Sequence, residues 1–484
     1  MASFLQLVMC SLLVLAFSFT LFKWLFNPPK TETHRNLPPS PSKLPIIGNL
    51  HQLNLYPHRV LQTLSQLHGP IMMIQLGSMP TLIISSASVA SEIMSTRDLA
   101  FSNRPFSSIS AKLLYNCRDV AMAPYGDYWR RVKNTNKRVQ SFRNVREEET
   151  TYMVEKIKEC SQSSLLVNLS ELLEKLTSDV VCRRKYSGGD SGKELKELLE
   201  KRGKLLGAFH IADYIPWLAW LNYLTGLNLK VEKVACQTDE FLEGVVEEHL
   251  KKGASDENQQ EETSFVDILL SIQDIERVTI KAVILDMFAA GADTTYTVLE
   301  WAMTELLRHP HLMSKLQTEV RAILSTEGAE TEDAIEHMHY LKAVIKETLR
   351  LHPPVPLLLS RESTQDVKVM GYDIRAGTQV ITNAWAIGRD PISWDRAEEF
   401  SPERFLESSI DFKGRNFQLI PFGAGRRGYP GVQFAVSVVE LALAKIVHTF
   451  NWELPGGRRE SMDMTETTGL TVHKKDPLLA VPTS

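Results

Sequence analysis

The chain is poor in cysteine and pairs none of it in sequence. Five cysteines occur in 484 residues, at 10, 117, 160, 182 and 236, with no C-x-x-C spacing. A disulfide framework and a structural zinc site are thereby disfavoured, and a reducing compartment fits. An excess of basic charge is also missing, with 54 Lys and Arg against 58 Asp and Glu and a net charge of −4. A nucleic-acid binder would show a basic balance or stripe, so no nucleic-acid partner is expected. Glycine (25) and proline (23) stand near average usage, which excludes collagen-like and disordered chains. No repeat or low-complexity tract is present.

Charge is absent altogether from Met1 to Phe22. That run is long enough for a membrane-spanning helix of about 20 residues. A cleaved signal peptide has a shorter apolar region and a small-x-small exit, which Phe17-Ser18-Phe19-Thr20 does not supply. Lys23, Lys30 and Arg35 follow the span and no basic side chain precedes it, so the body is expected on the cytoplasmic side. The expected division is a transmembrane anchor at 1–26, a stiff Pro-rich hinge at 27–48 and one body at 49–484.

The body reads as mainly α with a minor β part. Strand character falls at Leu76–Ser85, with a turn at Gly77-Ser78, and at Val367–Met370 and Gln379–Asn383. Helical periodicity dominates elsewhere, above all at Thr279–Arg308, Pro310–Leu324, Tyr340–Leu351 and Val432–Phe450. The first of these would form a helix of about 45 Å. Its middle, Ala289-Ala-Gly-Ala-Asp-Thr-Thr295, gives up helix propensity at Gly291 and at two adjacent threonines. Small residues there leave room for a flat or bulky group, with Asp293 and Thr294 able to handle protons. The competing reading is close helix packing with a polar patch.

Glu347 and Arg350 share one helix face at i, i+3. Alone, that spacing fits a surface ion pair worth about 1 kcal/mol or less. Pro402-Glu-Arg404-Phe405 could complete a buried network with them. The segment Pro421-Phe422-Gly-Ala-Gly425-Arg-Arg427-Gly-Tyr429-Pro-Gly431 is the most unusual. Its glycines permit close backbone approach to a ligand, and it opens into a helix whose N-terminus favours an anion. The spacing of a phosphate loop is absent.

In order along the chain, these pieces resemble the cytochrome P-450 superfamily of haem-thiolate monooxygenases. The likeness extends to Trp129-Arg-Arg-Val-Lys133, and the style of Leu37-Pro-Pro-Ser-Pro41 and Phe101-Ser-Asn-Arg-Pro105 resembles the plant microsomal branch used in specialised metabolism. The resemblance implies a cytochrome P-450 fold, with haem held between the long central helix and the Gly-rich loop. It also implies NADPH as electron source through a membrane-bound diflavin reductase, an apolar small-molecule substrate, and residence in the endoplasmic reticulum membrane with a cytosolic catalytic domain. By position, Asp293 and Thr294 match the distal pair that supplies protons during oxygen activation. Trp129, Lys133, Arg361 and Arg427 match holders of the haem propionates, Phe422 packs near the axial ligand, and Glu347, Arg350 and Arg404 match a structural triad.

One position departs from the pattern. The axial haem-iron ligand, Cys in the family, is Tyr429, and the cysteine nearest in sequence is Cys236. A thiolate pushes electron density to iron, whereas a phenolate ligates haem in catalase. Against the family's pattern, about two helical turns are missing after Lys133, and about one after Cys182. Ser360, Arg375 and Ala397 stand where proline is usual. A base misread or allelic lesion, a decayed paralogue and a repurposed haem protein all fit the tyrosine. The functional alternatives are a monooxygenase, a phenolate-ligated haem protein and a non-catalytic binding protein.

Overall fold

The computed structural model describes residues 15–18, 35–136, 143–162, 166–182, 190–207, 210–253, 265–272, 275–327, 331–457 and 462–483. The expected anchor therefore lies outside the described residues, except for one helical turn at 15–18. Most of both segments expected to be shortened, 137–142 and 183–189, lies outside them as well.

Helix α1 (Pro57–His68) leads into a hairpin of β1 (Ile71–Leu76) and β2 (Met79–Ile84). Helices follow: α2 (Asp127–Asn136), α3 (Arg143–Ser161), α4 (Leu169–Cys182), α5 (Asp190–Leu206), α6 (Leu227–Gly253), α7 (Arg277–Arg308), α8 (Pro310–Glu327) and α9 (His339–Leu351). Strands β3 (Arg361–Glu362) and β4 (Gln379–Thr382) then return to the hairpin, and α10 (Val432–Thr449) closes the core. The sheet order is β1-β2-β4-β3. β1 and β2 are antiparallel, β2 and β4 parallel from Thr81↔Gln379 to Ile84↔Thr382, and β3 and β4 antiparallel. The class is mainly α with small sheets, as the sequence indicated.

Several elements escaped the sequence reading, two of them at the start of the body. The strand placed at Leu76–Ser85 is the second arm of a hairpin whose first arm, β1, went unread. Helix α1 was likewise unread. The turn at Gly77-Ser78 is where expected: Gly77 has φ +57°, and a Cβ there would sit 2.2 Å from the Tyr214 carbonyl oxygen. The described part of the expected hinge is fastened to the body. Met73 N donates to Pro39 O at 2.8 Å, and Asn36 N donates to Asp373 Oδ2 at 2.9 Å.

Helix α7 organises the interior. Its C-terminal half, from Val298 to Leu307, joins a core with α3, α4, α8, α9 and α10. Its N-terminal half, from Ile280 to Phe288, joins a second core with Leu195 of α5 and Leu242, Val245 and Val246 of α6. On this largely buried helix, positions 286, 287, 289, 290, 293, 294 and 296 are half-buried. Of these, 286, 290, 293 and 294 recur at helical spacing near the seam between the two cores.

Candidate haem site

The glycine-rich loop is locked in place by an acid that no motif announced. Asp98 accepts from Arg426 N at 2.8 Å and from Arg361 Nη1 at 2.9 Å. Arg361 Nη2 also donates to Ala424 O at 2.6 Å. Gly425, at φ +67°, packs so close that a Cβ would lie 2.2 Å from Met94 O. Only glycine fits both the left-handed backbone and the contact.

Within the loop, Tyr429 N donates to Phe422 O at 3.0 Å. The two rings are nearly parallel, 14° apart with centroids 6.2 Å apart. The Tyr429 ring folds over the start of α10, where a Cβ on Gly431 would lie 2.8 Å from its Cζ and Oη. Burial pushes the phenol above its ordinary range, and the Asp286 carboxylate adds to this. Both effects oppose the phenolate form.

A basic cluster lies against the loop. Trp129 is buried and donates Nε1–H to Val120 O at 2.9 Å. Arg427 Cζ stands 4.5 Å and Lys133 Nζ 4.8 Å from its ring centroid. Lys133 Nζ also donates to Arg426 O. Arg427 donates to Ser102 O and Ala123 O at 2.6 Å each, while its Nη1 is buried without a partner. Burial, then Arg361, pushes the Arg427 guanidinium down to about 10, still charged at neutral pH. Arg104, also missed in the sequence, joins the cluster through bonds to the carbonyls of Ala121, Leu359 and Ser360.

Opposite the loop, Thr294 Oγ1 donates to Ala290 O at 2.7 Å, and Thr295 and Thr297 bond back in the same way. Such back-bonding weakens and bends a helix locally. The Asp293 carboxylate is 3.2 Å from Nε2 of His473, a residue not singled out from sequence. Gly291 turns away from the loop: a Cβ there would meet Val181 Cγ2 of α4 at 3.3 Å. Close helix packing therefore accounts for Gly291. Between α7 and the loop runs a slot lined by Thr294, Val298, Leu349, Pro354, Phe422 and Val436 among others.

Glu347, Arg350 and Arg404 come together in the interior. The Arg350 fork meets Glu347 through two bonds of 2.7 Å, and both side chains are 0% exposed. Arg404 Nε donates to Glu347 Oε1 at 3.0 Å, and Ser401 N to the same oxygen at 2.8 Å. The remaining Arg350 donors meet the carbonyls of Gly388, Ala397 and Glu399. This is a buried, saturated network rather than a surface pair.

The fold is that of known haem monooxygenases. Two solved zebra fish cytochrome P450 structures, one with abiraterone and one with progesterone, each superpose with a TM-score of 0.74. They cover 89% of this chain and 99% and 100% of their own, at 23% and 25% identity. The cytochrome P450 family matches residues 38–481, and the chain belongs to that family. It is 55% identical to cytochrome P450 736A117 of Prunus mume, over 99% of this chain and 96% of the relative. It is 49% identical to norfluorocurarine oxidase of Strychnos sp (96% of each) and to cytochrome P450 71A6 of Nepeta racemosa (98% of each). The family's cofactor is haem, reduced by NADPH through a reductase.

The pocket fits most of that cofactor. Arg427 offers a buried unmet donor, and Arg104, Arg361, Arg426, Arg427 and Lys133 outnumber Asp98, an excess of positive charge suited to two propionates. The glycine-rich loop carries a phenol at position 429.

Proposed function

We propose that the chain is a haem-binding oxidoreductase of the monooxygenase type, acting on an apolar small molecule in plant specialised metabolism, with its ordinary monooxygenase activity impaired by Tyr429. When bound, haem supplies the chemistry that activates dioxygen. Lys133 and Arg427 would hold its propionates; Trp129, expected to do so as well, has its one N–H on Val120 O and packs against both cations instead. Arg361 acts with Asp98 to brace the loop. Phe422 and Tyr429 would stand on the loop side of the group, with Tyr429 where the family has its cysteine. Thr294 and Asp293 hold and move protons on the opposite side. Glu347, Arg350 and Arg404 keep the segments behind the loop in place. One observation carries the reading: the loop, its Asp98 lock and the basic cluster are intact around a changed ligand. The substrate setting leans on the oxidase named in Strychnos, at 49% identity.

A thiol ionises near 8.5 and a phenol near 10, and the surroundings of Tyr429 raise the phenol further. The rival reading, an inactive or phenolate-ligated haem paralogue acting as a binding protein, draws on that same observation. The Tyr429→Cys variant separates them. It should gain a thiolate-type spectrum in the reduced carbon monoxide complex, which the parent lacks. Hydroxylation by the parent with NADPH and reductase would overturn the impairment.

The anchor and topology are proposed on the charge-free run and the basic residues after it. Protease added outside intact microsomes should degrade the body, and protection of the body would reverse the topology.

A further inference from the structure

Arg202 on α5 is 1% exposed, and none of its three guanidinium nitrogens has a hydrogen-bond partner. A buried guanidinium with five unmet N–H groups is costly unless something supplies acceptors. The acids that act on it are Asp286 of α7 and Asp119 in the loop before α2. Neither bonds to it. The same chain builds a bidentate pair at 2.7 Å between Glu347 and Arg350, so a purely structural role for Arg202 would be expected to look like that one.

The two carboxyl groups sit side by side. Asp286 Oδ2 accepts from Val120 N at 2.6 Å, and the neighbouring Asp119 Oδ2 accepts from Met122 N at 2.9 Å. Asp119 Oδ1 is buried without a partner. Burial pushes Asp119 up to about 6 and, with Asp119 beside it, raises Asp286 well above the carboxylate range. Arg202 and Arg104 both act on Asp119. Arg104 spends its bonds on carbonyls; Arg202 spends none.

Asp286, Ala290 and Thr294 stand at i, i+4 and i+8, about 6 and 12 Å along one face of α7. That face is the half-buried one. Val120 and Phe288, with Leu199 on α5, make the surrounding core apolar.

We propose that Arg202, flanked by Asp119 and Asp286, anchors the carboxylate of an otherwise apolar substrate whose far end lies toward Thr294. The guanidinium fork matches a carboxylate bidentately. This rests on reading the α7 face as the substrate chamber, and it narrows an apolar substrate to an amphipathic acid. Fatty, aromatic and terpenoid acids share that chemistry.

The test uses the full-length protein as purified, with haem absorbance recorded in every sample. Thermal unfolding without ligand compares the parent with Arg202→Leu. The variant's midpoint is the baseline for the ligand comparisons, since the change also takes a guanidinium from beside Asp119 and Asp286. Dodecanoate, cinnamate and abietate are then compared with their methyl esters. At least one acid should raise the parent's midpoint by several degrees more than its ester, and Arg202→Leu should erase the difference. The proposal is overturned by acids and esters acting alike on the parent, or by an acid preference that survives in the variant. Acid preference without haem absorbance would sink the haem reading and sustain this one; haem absorbance without acid preference would do the reverse.

Discussion

Two buried charged regions of this molecule are built in opposite ways. Around Glu347 the carboxylate and the Arg350 guanidinium are both matched, through short bonds from Arg350, Arg404 and Ser401 and to three backbone carbonyls. Elsewhere, Arg427 in the glycine-rich loop keeps one nitrogen unmet and Arg202 on α5 all three. Desolvating a charge without a partner is expensive. The Glu347 network holds the chain to itself; the open donors of Arg427 and Arg202 are the ones proposed above to meet haem and substrate.

The largest effect is expected at the closed network. Glu347→Ala leaves two guanidinium groups buried without their acid, which costs about 3–5 kcal/mol, comparable to the stability of many domains. Little folded protein should be recovered. Normal yield and an unchanged unfolding midpoint would show that closure is not what stabilises this region.

A second closed group sharpens the comparison through pH. Glu466 accepts from His58 Nε2 at 3.2 Å and from Arg59 Nη2 at 2.9 Å. Burial alone would raise its pKa, but these partners outweigh burial and lower it from 4.5 to about 2. A depressed acid stabilises the fold fully above its ordinary pKa, and that contribution drains away as pH falls from about 4.5 toward 2. Glu466→Gln should therefore lower the midpoint at pH 6, by less than Glu347→Ala does, and flatten its decline between pH 5 and pH 3. A decline as steep as the parent's would assign the acid sensitivity elsewhere.

Motif-bearing segments were the legible part of this sequence. Helix α7 was readable within two residues of its start, because its apolar pattern runs unbroken from Ile280 to Leu307. The loop at 421–431 declared itself through glycines whose necessity the structure explains at Gly425. β1 escaped because Ile71-Met-Met-Ile74 is a continuous apolar run, which periodicity alone cannot assign to strand. α1 escaped because it buries only His58 and Leu61 and has no side-chain cap. Asp98, Arg202 and His473 carry no motif. Their partners stand far away in sequence, and only the fold brings Asp98 to Arg361 or His473 to Asp293. Spacing alone read the Glu347 pair as a surface pair; its burial, which decides its strength, was legible only through the family resemblance.

The most direct test of the contrast between closed and open charge is Arg427→Leu, read twice on the same preparation. Its Nε and Nη2 fasten Ser102 O and Ala123 O, while its unmet Nη1 is the donor proposed to meet haem. The haem-free variant should lose less stability than Glu347→Ala, while its affinity for added haem falls by about tenfold, the equivalent of about 1.4 kcal/mol. An Arg427→Leu protein that loses stability as Glu347→Ala does, yet binds haem as tightly as the parent, would contradict the account.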